Sequence, residues 1–244
     1  MKSALGIFIL FFVLVTGIFS CKKDPGPTIN MGYNYFPDQV GKYTVFNVDS
    51  FFYNGFTSHI DTFKFQIKEK IASTYSDNSG RPSLRLERYV KYYSATTPYT
   101  SMPWTLRDVW EENVSKSTAE KVEENVRFVK LAFAVKESQK WDGNAQNTLG
   151  EENYTYKFFD LHRVIGGVSF DSVLQVQQHD ETNFIQKIYS EEKYARNVGL
   201  VYKQMINVES QPSLLPDSAL TLPIMDRVTS GFQYTMTVES YGTE

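Results

Sequence analysis

A single cysteine, Cys21, stands in 244 residues, so no disulfide can form within the chain. There are three histidines, His59, His162 and His179, and none lies at metal-ligand spacing from another. A basic excess is missing too. Lys and Arg total 25 against 28 Asp and Glu, a formal charge of −3, and nucleic acid binding needs a basic patch or stripe. Nucleic acid is therefore excluded as a partner. Beyond Phe19 no apolar run approaches the ~20 residues of a membrane-spanning helix. The chain has no Gly-x-Ser-x-Gly elbow, no His-Glu-x-x-His and no phosphate-cradling glycine loop. No catalytic residue, metal or cofactor is assigned. Asp142, Asn144 and Gln146 imitate the first oxygens of a calcium loop. Asn147 then stands where glycine is needed, and Asn153 where a bidentate glutamate is needed, so the stretch reads as a turn. The enzyme class these absences leave standing is a carboxylate-based hydrolase, whose two acids can lie far apart in sequence.

The N-terminus is richer. Lys2 precedes an uncharged apolar run, Ala4 to Phe19, and then Ser20 and Cys21. A short basic start and such a run read as a secretory signal. Ile18-Phe19-Ser20-Cys21 resembles the lipobox of bacterial lipoproteins: an aliphatic residue, a variable one, a small one, then cysteine. The resemblance implies cleavage between Ser20 and Cys21, acyl chains such as palmitate on Cys21, and attachment to a membrane. Several acyl chains make a stable anchor where one is marginal. Residues 1–20 are then the signal peptide, residues 21–34 the lipidated cysteine and a tether, and residues 35–244 a single β-rich domain. Lys22-Lys23-Asp24-Pro25-Gly26-Pro27 is too rich in Pro and Gly for helix or sheet. Its Lys-Asp start leaves the periplasmic and cell-surface faces of an outer membrane equally open.

Aromatic residues make up 15% of the chain, 16 Tyr, 18 Phe and 3 Trp, a composition suited to pleated, half-buried surfaces. Tyr35-Phe36-Pro37 opens the folded region. Phe63, Phe65 and Ile67 alternate with Lys64, Gln66 and Lys68, the period-two signature of a half-buried strand. Phe232, Tyr234, Met236 and Val238 repeat it against Gln233, Thr235, Thr237 and Glu239. Leu84, Leu86, Val90 and Tyr92 define another strand, with Arg88 as the odd inward member. A buried Arg needs a partner, so Arg88 is expected near an edge or mouth. Leu106, Val109 and Trp110 have helix-like spacing over a short stretch. Ser117 to Glu120 fits a capping box, and a short helical or irregular piece is expected to Asn125, then a bulged strand over Val126 to Val135. Glu191 to Tyr194 could start a helical turn. Gln211 to Pro223, with three prolines, is a long connection. Eight to eleven strands with frequent turns imply a mainly β fold: one antiparallel barrel, half-barrel or sandwich with at most short helices. Tyr35-Phe36-Pro37…Val40-Gly41 and Tyr194 to Lys203 resemble Bacteroidota cell-envelope lipoproteins. That resemblance implies an outer-membrane location and a β-rich domain, and supplies no activity.

Trp104, in a Pro-flanked loop, and Trp141 are candidates for stacking on a ligand such as a sugar ring, with core packing as the competing use. Asp171-Ser172-Val173 and Asp217-Ser218-Ala219 resemble the O-glycosylation acceptor of exported Bacteroidota proteins, and Ser218 is the more reachable. Asp160 and His162 would share a strand face; His179 and Asp180 form a second local pair. The functional expectation is a lipid-anchored, non-enzymatic envelope protein that binds an amphiphile or another envelope component. A surface glycan-binding module and the hydrolase are the alternatives. A cavity of a few hundred Å³ favours the first, an exposed tryptophan on a flat face the second.

Overall fold

Period-two alternation is realised as twelve antiparallel strands in a computed structural model that describes residues 30–244. The signal segment, the cleavage point at Ser20, Cys21 and its lipid, and most of the tether lie outside the described residues. The strands are β1 (Lys42–Asn54), β2 (His59–Ser76), β3 (Pro82–Tyr92), β4 (Thr105–Val114), β5 (Thr118–Glu123), β6 (Val126–Ala132), β7 (Lys140–Asp142), β8 (Asn153–Ile165), β9 (Val168–Thr182), β10 (Gln186–Ala195), β11 (Gly199–Glu209) and β12 (Ser230–Thr243). They form one sheet in the order β6-β5-β4-β3-β2-β1-β12-β11-β10-β9-β8-β7. The sheet curls into a nearly closed barrel. Among the described residues, helix is confined to 3-10 turns, the longest being Asp217–Thr221.

The edge strands β6 and β7 meet without a ladder. The Val129 N–H donates to the Gly143 carbonyl at 2.8 Å. The Trp141 indole N–H donates to the Val129 carbonyl at 2.9 Å. The Tyr156 hydroxyl accepts from the Ala132 N–H and donates to the Ala132 carbonyl, each at 2.9 Å. One phenol thus does for β6 what a neighbouring strand would do, and blunts an otherwise unpaired edge. On β2 and β12 the faces turned away from the core carry Lys64, Gln66, Lys68, Gln233, Thr235, Thr237 and Glu239. A transmembrane barrel needs an apolar outward band, and these two strands present none.

Several local expectations are corrected. The capping-box stretch is strand β5, because its ladder with β4 and β6 outweighs a four-residue capping signal. Glu124 and Asn125, at φ 49° and 66°, make the two-residue turn into β6. β6 ends at Ala132, and its bulge lies between Val129 and Leu131. Thr105–Val114 and the Glu191–Tyr194 stretch are also strand. Folded chain begins four residues before Tyr35, at Met31, so residues 31–34 of the expected tether are structured. The Met31 carbonyl accepts from the Val135 N–H, and the Asn34 carbonyl from the Asn197 N–H.

That N-terminal segment plugs one end of the barrel. Tyr35 and Phe36 are buried with Leu131, Tyr154, Tyr156, Leu174 and Tyr194. Pro37 lies against Gly199, at the turn between β10 and β11. A second core forms where the β8–β9 hairpin meets β11 and β12, joining Phe170 and Val173 to Val201 and Val238. Gly166, at φ +59°, is required there: a Cβ would sit 2.1 Å from the Val238 carbonyl oxygen.

Candidate ligand-binding cavity

The inward series Phe63, Phe65, Ile67 continues one step further to Glu69, and there the barrel interior becomes charged. Glu69 accepts from Arg88 Nε at 2.9 Å and from Lys121 Nζ at 3.0 Å. Lys121 also meets Glu112 at 3.2 Å. Lys130 bridges Glu123 at 2.7 Å and Glu192 at 2.8 Å, and Lys203 meets the same two carboxylates at 3.1 and 3.4 Å. The Tyr194 hydroxyl donates to Glu192 at 2.6 Å. Arg88 completes the layer. It is 4% exposed, bound to Asp108 at 2.9 Å, and its guanidinium lies 3.6 Å over the Trp110 ring. The expected position of Arg88 at an edge or mouth is therefore corrected: its partners lie inside with it, which is what burial requires.

Burial alone would push these carboxyls up. Lys121 and Arg88 outweigh it at Glu69 and hold that carboxyl below its usual range. Lys130 and Lys203 do so more strongly, leaving Glu123 well below its usual value and Glu192 at about 2. Burial would likewise lower Lys121 and Lys130, but their carboxylate neighbours raise both. Glu112 differs. It has Lys121 as counterion, and desolvation pushes its carboxyl up. It faces the plugged side of the layer, not the open one.

On the side away from the plug, the charged layer is the floor of a cavity of about 510 Å³. Its floor carries Arg88, Glu69, Lys121, Glu123, Lys203 and Trp110. Its walls are Phe63 and Phe65 from β2, Tyr92 from β3, Met205 from β11, and Phe232, Tyr234 and Met236 from β12. Phe63 and Tyr92 are 55% and 65% exposed, so this end opens to solvent. A volume of this size with apolar walls and a few convergent polar groups suits a small ligand. The layer's carboxylates Glu69, Glu123 and Glu192 serve as counterions and are held ionised, so none of the three is poised as a general acid.

The candidates from sequence lie elsewhere. Trp104 is half-buried on the outer side of the sheet, with Lys91 Nζ 4.2 Å from its ring centroid. Trp141 is at the seam, its ring 4.4 Å from that of Tyr156. The Trp141 ring packs into the seam, whereas Trp104 lines an open outer-face cleft of about 330 Å³ with Tyr43, Lys91 and Tyr99. The Ser172 hydroxyl is buried and bonded to Asp160 at 2.5 Å and the Tyr35 hydroxyl at 2.6 Å. Ser218 is exposed, in the Asp217–Thr221 turn. Asp160 and His162 do not bond to each other; Asp160 has φ +59° in an irregular part of β8. Asp160 binds Arg196 at 2.7 Å and His162 meets Ser169 at 3.0 Å. His179 pairs with Glu152 at 2.8 Å, while Asp180 accepts from Gln177. Asp142 accepts from the Asn144 and Glu152 N–H groups, as a turn residue does. Among the described residues no cluster of three His, Cys, Asp or Glu side chains is arranged to hold a metal.

Sequence reasoning found Arg88 but missed the rest of the layer. The available signal was charge in phase with an apolar series, Glu69 after Ile67 and Glu192 two before Tyr194.

No protein-family model and no curated protein matches the sequence. Among solved structures, a protein of Bacteroides fragilis NCTC 9343 described as exported and of YmcC-like fold aligns over 85% of this chain and 98% of its own, at 11% identity and a TM-score of 0.44. A protein of Parabacteroides distasonis ATCC 8503 described as a lipoprotein aligns over the same shares at 9% identity and a TM-score of 0.38. Neither similarity is close enough to transfer a ligand, a partner or a location.

Proposed function

We propose that this chain is a lipid-anchored protein of the outer membrane, facing the periplasm or the cell surface, whose barrel binds an amphiphile without transforming it. The observation that carries the reading is the open cavity of about 510 Å³, with apolar walls over a charged floor. The gradient orients the guest. Its polar end meets Arg88, Lys121 and the floor carboxylates, and its apolar part lies among Phe65, Met205, Phe232 and Tyr234. Because each floor carboxylate already has cationic partners, the floor offers paired donors and acceptors, a setting for a neutral or zwitterionic head group. The anchor rests on the Ile18–Cys21 lipobox alone.

The test is mass spectrometry of lipid extracted from the protein purified from cell envelopes, beside the Met205→Trp variant, whose added ring fills the cavity. A stoichiometric amphiphile in the parent, reduced about tenfold or more in the variant, is expected. Equal lipid in both proteins, or none in the parent, removes the reading. For the anchor, Cys21→Ser is expected to move the protein out of the membrane fraction. Retention there would refute lipidation as the attachment.

A further inference from the structure

The open end of the barrel is ringed by apolar side chains that no core requires. Antiparallel order brings the β1–β2, β3–β4, β9–β10 and β11–β12 connections to this one end. Phe56 at the β1–β2 tip is fully exposed, and Ile60 beside it is half exposed. Phe184 from the β9–β10 turn and Leu214 from the β11–β12 connection are each more than half exposed. Phe63 and Tyr92 belong to the same ring and also line the cavity mouth, so rim and cavity walls are one continuous apolar surface.

The ring is built. The Asn54 side-chain oxygen accepts from the Phe56 and Thr57 N–H groups at 3.0 and 3.2 Å, locking the turn that presents Phe56. Arg227, 6% exposed, ties two connections together. It donates to the Phe184 carbonyl at 2.7 Å, the Leu222 carbonyl at 2.9 Å and the Ser210 hydroxyl at 2.7 Å. Its guanidinium also lies 4.6 Å from the Phe184 ring centroid. Exposed aromatics on fixed turns around a cavity are a surface awaiting contact.

We infer that this rim docks onto the surface of a lipid bilayer, so that the amphiphile passes between membrane and cavity without crossing water. The inference rests on the amphiphile reading of the cavity. The occupant follows from continuity: the rim extends the cavity wall, and a guest that fits apolar walls resides in a lipid phase. A protein partner would bury a flat, complementary patch, whereas separate tips around an opening suit shallow insertion between head groups. The rim carries Asp61, Asp180 and Glu181, and among the described residues its one cation at the cavity mouth, Arg107, is paired with Asp108 at 3.1 Å, so no basic cluster faces outward there. Docking is therefore apolar, suits zwitterionic lipid and is insensitive to salt.

The test places a tryptophan at the tip. The full chain carrying Phe56→Trp is reconstituted with phosphatidylcholine vesicles brominated along the acyl chains, and its emission is compared with that in unbrominated vesicles. The parent supplies the background of its own three tryptophans, and Val40→Trp, at the plugged end, is the control. A blue shift and quenching of the added tryptophan by about twofold or more, unchanged between low and high salt, are expected for Phe56→Trp and not for Val40→Trp. No quenching overturns docking. So does cross-linking from position 56 to a protein when lipid fails to quench. Titration with palmitoyl lysophosphatidylcholine, a zwitterionic amphiphile, in detergent-free solution separates the two readings. Its binding without quenching sinks docking alone, and quenching without its binding leaves docking standing while the cavity reading falls. Phe56→Ser, at an exposed tip, is expected to leave affinity for this lipid unchanged and to slow its transfer from vesicles about tenfold.

Discussion

Lys130→Met tests the charged layer most directly. Met keeps most of the aliphatic stem and removes the ammonium that lies 2.7 Å from Glu123 and 2.8 Å from Glu192. Lys203, at 3.1 and 3.4 Å, is then the sole ammonium among the recorded partners of both carboxylates. Removing one member of a buried ion pair costs about 3–5 kcal/mol, because it strands a charge. Protonation caps that penalty. Neutralising one carboxyl from an ordinary value near 4.5 at pH 7 costs about 2.5 pH units at 1.36 kcal/mol each, roughly 3.4 kcal/mol. The expected loss at pH 7 is therefore about 3–4 kcal/mol, and its pH dependence has a definite sign. In the parent, Glu192 is held at about 2. Its stabilisation is present above the unfolded value of 4.5 and is lost only as pH falls through the folded one, so this group contributes no slope between pH 7 and 5. In the variant a stranded carboxyl rises above 4.5, the native state binds the extra proton, and stability increases as pH falls. The gap between the two proteins should shrink by about 2 to 3 kcal/mol from pH 7 to pH 5. Urea unfolding followed by tryptophan emission at both pH values measures it. Adding Glu192→Gln to Lys130→Met should recover part of the loss. A loss below about 1 kcal/mol at pH 7 with no narrowing at pH 5 would mean that these carboxylates are solvated, and the layer as described would be wrong.

Tyr156→Phe removes the hydroxyl that satisfies both backbone groups of Ala132 at the seam, at an expected cost of about 1–3 kcal/mol. Amide exchange should quicken at Ala132 more than at Val176 in the neighbouring core. Arg227→Met cuts three charge-assisted hydrogen bonds at the rim, and limited proteolysis should then cleave within residues 211–229 several-fold faster. A loop as resistant as in the parent would show that Arg227 does not hold the rim.

The fold was legible where the chain is amphipathic with one face dry. β2 and β12 announce themselves because Phe63, Phe65 and Ile67, and Phe232, Tyr234 and Met236, keep strict phase against polar residues. β5 was hidden, because its inward residues are Ala119, Lys121 and Glu123. A strand that faces a charged interior alternates polar with polar, and period two disappears. Its turn was hidden as well, since Glu124 adopts a left-handed conformation that glycine or asparagine usually announces. The seam could not be read at all. Trp141 and Tyr156 act on Val129 and Ala132 only because closure brings the first and last strands of the sheet together, a contact with no local signature. The cavity was foreseeable as a class of feature, but its floor depended on which charges meet across β2, β5, β6, β10 and β11.

Stability does not account for a layer of four glutamates and four basic side chains in mid-barrel. Well-packed apolar residues in place of a buried ion-pair network are often neutral or stabilising by about 1–4 kcal/mol. The plugged half shows that this barrel can fill its lumen, because Tyr35, Phe36, Leu131, Leu174 and Tyr194 close it with little space left. The charged layer ends that filling. Phe36 and Tyr194 pack below it, and above it Phe65, Met205 and Phe232 stand around open space. Ionised groups at this level hold the walls apart, since collapse onto them would cost desolvation. Exchanging Glu123, Lys130, Glu192 and Lys203 together for Leu or Met of similar volume should therefore leave stability within about 2 kcal/mol of the parent and abolish binding of palmitoyl lysophosphatidylcholine. A quadruple variant that stays folded and binds this lipid as the parent does would show that the layer has no part in keeping the cavity open.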